Sequence, residues 1–205
     1  MSKQTAFSPS AITGVILAGG LSTRMGGADK GLQYYRGKRL IEHVSERLAP
    51  QVGELVINAN RNLAVYAALG HPVIPDLIDD FPGPLAGLHA GLCHARSEWV
   101  LTAPCDSPFL PNQLAQTLAE ACKNGASLAI VRHHSRLHPV FCLCHKSLRP
   151  ALEKYLKNGG RRVAAWCQEM GACIVDFSDP EALFANFNTL DELSSEHLPE
   201  QQNLR

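Results

Sequence analysis

The stretch Gly14 to Gly31, GVILAGGLSTRMGGADKG, limits the folds open to this chain more than any other. Ile12, Val15, Ile16 and Leu17 make a short apolar run broken only by Thr13 and Gly14. That pattern suits a strand buried on both faces of a parallel sheet. The run stops at Gly19 and Gly20, which can take backbone angles closed to other residues and so turn several N–H groups toward one anion. Ser22 and Thr23 add hydroxyl donors, and Arg24 and Lys30 set a cation at either end of a loop pinched by Gly26 and Gly27. A glycine pair after a strand is by itself more often a tight turn than a ligand site. The two cations move the reading to a cradle for a polyphosphate. It is neither of the two best-known phosphate loops, because GxxxxGKS/T and GxGxxG are both absent.

LAGGLSTRMGGADKG resembles the signature L-A-x-G-x-S-x-R-M-G-x-x-K of the nucleotidyltransferases that activate sugars and cofactors with a nucleoside triphosphate. Glycine directly after Leu17-Ala18, together with PGPLAG at Pro82 to Gly87, most resembles the MobA-type molybdenum cofactor guanylyltransferases. The resemblance runs from Ile12 to Leu193.

A chain of 205 residues suits one α/β domain with a substantial core. The expected boundaries are a flexible tail at 1–11, the nucleotidyltransferase domain at 12–196 and a polar tail at 197–205. With 19 basic and 19 acidic residues there is no global field for nucleic acid or a membrane. Seven cysteines without CxxC spacing read as reduced thiols, and Cys142 and Cys144 alternate within an apparent strand as buried ones do. MSKQTAFSPS lacks the apolar core of a signal peptide, so a cytoplasmic location is expected.

Downstream, Leu40, Ile41, Val44 and Leu48 recur at helical spacing and predict a helix ending near Pro50. Leu55-Val56-Ile57 predicts a strand with Asn58 at its carboxyl end, where Asn is either a turn former or a nucleotide contact. Leu63 to Leu69 reads as helix and Val73-Ile74 as a short strand, followed by Asp76, a turn carboxylate or a cap on its own. In Phe81 to Gly87, Pro84 starts the helix through Leu85, Leu88 and Leu92. The same stiff loop can offer main-chain acceptors to the N1 and N2 hydrogens of guanine. Gly19 omits a methyl group that alanine would project toward the base.

Trp99 to Ala103 is the clearest central strand, and it runs into Pro104-Cys105-Asp106-Ser107-Pro108. Asp106 can cap the helix that follows or hold a hard divalent cation, and the intervening prolines weaken the first role. A helix is expected from Asn112 to about Cys122, then strands at Ala126 to Val131 and Val140 to Cys144. His133, His134 and His138 read as solvent-facing loop residues, since no cysteine or carboxylate stands at zinc-site spacing. Leu148, Leu152, Tyr155 and Leu156 predict a helix closed by Asn158-Gly159-Gly160. Arg161-Arg162 then open another, to Met170, where cations oppose the dipole unless an anion is near; two solvated arginines are the equal alternative. Ile174 to Phe177 predicts a strand, and Thr189 caps a last helix over Asp191 to Glu196.

The resemblance implies a doubly wound, mostly parallel α/β sheet of the nucleotide-diphospho-sugar transferase type. It implies transfer of GMP from GTP to the terminal phosphate of molybdenum-molybdopterin, with release of pyrophosphate. Magnesium, with manganese as an alternative, would sit on Asp106, and Arg24, Lys30 and Asp106 would be catalytic. Leu17, Ala18, Gly19, Gly20, Lys30, Asn58, Asp76, Pro84, Gly87 and Asp106 would bind GTP. His138, Arg161, Arg162, Asn186 and Asn188 would face the acceptor. The partners implied are the two substrates, with transient contacts to other molybdenum cofactor proteins and a monomeric state. Rival readings are a cytidylyltransferase or sugar-nucleotide pyrophosphorylase on the same scaffold, or a non-catalytic nucleotide or pterin carrier.

Overall fold

In the computed structural model, residues 8–19, 29–78, 83–178 and Phe184 are described. The expected tail at 197–205 and the helix over 191–196 lie outside them. Strand β1, Ile12–Leu17, is buried on both faces, and its side chains divide between two cores. Ile12 and Ile16 enter one core with α1 (Leu40–Leu48) and α4 (Leu114–Cys122). Val15 enters the other with α3 (Pro84–His94), α5 (Arg149–Lys157) and α6 (Val163–Glu169). A continuous apolar run with helices on both sides is what a doubly wound sheet requires. The polar exception, Thr13, is satisfied by Ser97 Oγ at 2.7 Å.

The remaining strands of the main sheet are β4 (Glu54–Asn58), β5 (Val73–Ile74), β6 (Trp99–Pro104), β7 (Leu128–His133), β8 (Arg136–His145) and β9 (Cys173–Phe177). Short strands β2 (Tyr34–Tyr35) and β3 (Lys38–Arg39) form a separate hairpin, and α2 spans Leu63–Ala67. The seven-stranded sheet has the order β5-β4-β1-β6-β8-β7-β9. All its pairings are parallel except those of β8, which runs against both neighbours. From β1 the chain winds outward through β4 and β5, then returns to β6 on the other flank of β1. The seam between β1 and β6 is therefore the topological switch point, the place where open α/β sheets bind ligands.

Within the described residues, the expected helices form at their expected places. α1 buries Leu40, Ile41, Val44 and Leu48, and its Glu42 side chain reaches back to the Arg39 N–H at 2.7 Å. α3 begins at Pro84 and is buried almost throughout. It can lie on β1 because Gly91 has no side chain: a Cβ there would stand 2.8 Å from Val15 Cγ2.

The histidines correct the sequence reading. His133 ends β7 and His138 lies within β8, so only His134, at φ 50°, is in the hairpin turn. His133 is only 3% exposed. Its cover comes from Phe184, whose ring lies 5.4 Å from those of both His133 and His138. The polar run RHHSRLH gives no hint of burial supplied by a residue so far along the chain.

Candidate active site

Three strand ends converge at the switch point. Leu17 pairs with Asn58 on one side and Pro104 on the other. Ala18 N–H donates to Asn58 O at 2.8 Å, and Cys105 N–H donates to Leu17 O at 3.1 Å. These bonds hold the start of the glycine loop and the Cys105-Asp106 turn side by side. Gly20 and Arg24 lie outside the described residues, and the chain is described again at Asp29.

Lys30 sits in a short 3-10 turn, Lys30–Leu32, with its Nζ 3.3 Å from Asp106 Oδ2. Residues 76 positions apart thus form one cation–carboxylate pair at the mouth of the seam. Asp106 is 8% exposed, and its Oδ1 is buried with no hydrogen-bond partner among the described residues. Burial holds its carboxyl above the usual carboxylate range, although Lys30 pulls the other way. An orphaned, buried carboxylate oxygen costs free energy unless something electropositive meets it. A hard divalent cation that keeps most of its ligands as water and substrate phosphate suits a lone carboxylate of this kind. Among the described residues no three His, Cys, Asp or Glu side chains gather as a metal-binding group. The neighbouring Cys105 is also buried, and its thiol is pushed well up, first by burial and then by the Asp106 charge.

A second cluster forms at the end of β4. Asn58, 3% exposed, donates from Nδ2 to Asp76 Oδ1 at 2.9 Å and to Ile74 O at 3.3 Å. Asn60 donates from Nδ2 to Asp76 Oδ2 at 2.8 Å and accepts from Asp76 N–H at 2.8 Å. Asp76 is held by both carboxylate oxygens, and Asn58 is spent on orienting it. A Cβ on Gly87 would overlap Asn58 Oδ1, so glycine there lets α3 close onto the cluster.

The geometry bears on two expectations about the base. A Cβ on Gly19 would point at Asn60 Nδ2, 3.2 Å away, so the missing methyl makes room for the Asp76 clamp. The Gly83 carbonyl accepts from Ala86 N–H at 3.1 Å, and Pro84 to Gly87 form the first turn of α3. A helix start presents N–H groups rather than carbonyls, although Pro84 has none and Ala86 N–H already meets Gly83 O; a free N–H here would match the O6 acceptor of guanine and not its N1 and N2 hydrogens.

The acceptor-side candidates come from the other half of the sheet. His138 is on β8, and burial, with Arg136 and His133, holds its imidazole below the usual histidine range. Arg161 and Arg162 are exposed between α5 and α6, with Arg162 at the α6 cap. Asn186 and Asn188 lie outside the described residues. The sequence reading missed Asp29, Asn60 and Tyr66. Asp29 is buried and accepts from Tyr66 Oη at 2.5 Å. An acid beside a loop lysine reads as a solvated turn residue, and nothing in the sequence ties it to a tyrosine 37 positions on.

Together the switch-point seam, the glycine loop and the Lys30–Asp106 pair define an α/β nucleotidyltransferase. Residues 14–171 match the family described as MobA-like NTP transferase domain, and the chain belongs to that family. The molybdenum cofactor guanylyltransferase of Cupriavidus pinatubonensis is 51% identical over 188 residues, covering 89% of this chain and 94% of its own. That of Yersinia pestis is 50% identical over 178 residues, covering 87% and 91%. The crystal structure of molybdopterin-guanine dinucleotide biosynthesis protein A from Archaeoglobus fulgidus superposes with a TM-score of 0.75 at 26% identity, covering 89% of this chain and 95% of that one.

Proposed function

We propose that this protein transfers GMP from GTP to the terminal phosphate of molybdenum-bearing molybdopterin and releases pyrophosphate. The observation that carries the reading is the Lys30–Asp106 pair at the β1–β6 seam, in a chain half identical to guanylyltransferases along nearly its whole length. A phosphate oxygen of the acceptor forms a bond to the α-phosphorus of GTP. The bond to the bridging oxygen of the β-phosphate breaks, and pyrophosphate leaves with that electron pair. The acceptor phosphate is already ionised at neutral pH, so no side chain has to take a proton from it.

Asp106 would hold the divalent ion, magnesium or manganese, whose bound charge neutralises the phosphates. Lys30, with Arg24, stabilises charge on the departing pyrophosphate. The backbone from Leu17 to Gly20 cradles the nucleotide, Asp76 on its Asn58–Asn60 clamp fixes the nucleoside, and the α3 start at Pro84 to Gly87 faces the base. His138, Arg161, Arg162, Asn186 and Asn188 serve the acceptor side. An α3 N–H set against the amino group of adenine would be unpaired, a cost of roughly 1–3 kcal/mol. GTP should therefore exceed ATP and CTP by about tenfold or more in kcat/KM. Pyrophosphate release from each of the four nucleoside triphosphates, with and without molybdopterin, tests this. Faster release from CTP than from GTP refutes guanylyl transfer, and no acceptor-dependent release from any triphosphate refutes the reaction class.

A further inference from the structure

We propose that Asp29 is a positioning residue that fixes Lys30 for catalysis from inside the protein, an inference that rests on the nucleotidyl-transfer reading above. Its side chain is 6% exposed. Oδ1 accepts from Tyr66 Oη at 2.5 Å, and Tyr66 is itself fully buried. Oδ2 accepts from Asn62 Nδ2 at 2.9 Å and lies 3.6 Å from Arg61 Nε. Each of these partners belongs to the β4–α2 corner.

Two further details point the same way. Asn62 occupies the cap position of α2 in the left-handed region, φ 52° and ψ 31°, yet makes no side-chain cap bond. Its Nδ2 is turned to Asp29, and its Oδ1, the atom that ordinarily accepts a helix N–H at a cap, accepts none there. Gly31 closes the anchor from the other side: a Cβ there would stand 2.8 Å from Tyr66 Oη and 3.3 Å from Cys105 Sγ. The segment 29–31 therefore threads between Tyr66 and the Cys105-Asp106 turn. Asp29 and Gly31 are pinned against the tyrosine, and Lys30 between them is turned to Asp106 at 3.3 Å.

A lysine ammonium is a point charge on a flexible four-carbon stem and does not fix its own position. Where its backbone is held decides where that stem starts. The buried carboxylate on one flank and the side-chain-free residue on the other hold it in place, and this accounts for burying an acid here. An anchor of this kind affects Lys30 where charge develops on the leaving group, so it acts on turnover more than on ground-state binding.

The test is a double-mutant cycle on the full chain with Asp29→Asn, Lys30→Ala and both together, alongside Tyr66→Phe. Steady-state pyrophosphate release from GTP with acceptor is measured with the melting temperature of each variant. Asp29→Asn should lower kcat by about tenfold or more while KM for GTP stays within about threefold. Tyr66→Phe should act in the same direction and less strongly. In the Lys30→Ala background, Asp29→Asn should cost less than about twofold more, because the group it positions is gone. Multiplicative losses, or a raised KM with unchanged kcat, would overturn the proposal. If Asp29→Asn does not fold, Tyr66→Phe carries the same cycle. A second readout needs no turnover: the rate of Lys30 acetylation by acetic anhydride, followed by mass spectrometry, should rise several-fold in Asp29→Asn. An unchanged rate overturns the positioning role. Inactive wild-type protein whose Lys30 labelling still depends on Asp29 would instead sink the proposed reaction and leave the anchor standing.

Discussion

Gly87→Ala adds one methyl group to the first turns of α3, and three terms decide its effect. Helix propensity favours alanine over glycine by about 1 kcal/mol. Against this, the new Cβ would overlap Asn58 Oδ1 and stand 2.5 Å from Leu17 Cδ2. Neither neighbour can yield freely, since Asn58 is 3% exposed and bonded to Asp76 and Ile74 O, and Leu17 is tied into β1. Overpacking of this kind costs roughly 1–3 kcal/mol, and each Asn58 bond lost if the amide swings away costs about 0.5–1.5 kcal/mol net. The expected balance is a destabilisation of about 1–3 kcal/mol, or roughly 2–12 °C in melting temperature for a chain of this size. Thermal unfolding measures it, and KM for GTP should rise with it as Asp76 loses its orientation. A variant that melts at or above wild type with unchanged KM would show that propensity wins. It would refute the argument that α3 closes onto the site only through glycine.

Asp106→Asn should abolish pyrophosphate release and yet, without divalent cation, melt above wild type, because burial outweighs the attraction of Lys30 at that carboxyl. A lower melting temperature would reverse that ranking. His89 is 5% exposed, its Nδ1 is buried with no hydrogen-bond partner among the described residues, and burial holds its pKa below the ordinary value. The unfolded chain therefore binds the proton more readily, and stability is lost as pH falls below about 6.5 toward the folded value. His89→Leu should shrink the drop in melting temperature between about pH 7.5 and 5.5, and an equal drop would refute the assignment. Gly19→Ala should narrow the preference for GTP by displacing Asn60, 3.2 Å from the new Cβ. The effect should vanish in an Asn60→Ala background, and its persistence would return the methyl group to the base slot.

The parts of the fold legible in the sequence are those where burial is local and periodic. Val15, Ile16 and Leu17 announce β1, the run from Trp99 announces the central β6, and Cys142 and Cys144 alternate as buried thiols do. Lys30 and Asp106 were legible as separate candidates through their motifs, and the fold adds that they meet. What stayed hidden depends on groups brought together from afar. His133 is covered by Phe184, Asp29 by Tyr66, and Asp76 is oriented by an asparagine whose sequence setting looks like an ordinary turn. The helix start at Pro84 was legible, and it already turns the carbonyls after Gly83 along the helix, where main-chain acceptors for a base are not expected.

The reversed strand β8 has a consequence for the order in which the molecule assembles. A hairpin joins β7 to β8 across Val131↔His138 and His133↔Arg136, so these strands meet after closing a very short loop. Hairpins of this sort form in microseconds. The seam that carries the chemistry pairs Ile12 with Trp99 and Leu17 with Pro104, contacts that cannot be rewarded until most of the first half of the chain has been gathered in. We expect the β7–β8 half of the sheet to act as a folding template and the β1–β4 half to close upon it. Pulse-labelled hydrogen exchange would then find β7 and β8 amides protected before those of β1. In that sequence of events, Lys30 and Asp106 come together only when the rest of the protein has committed to its structure.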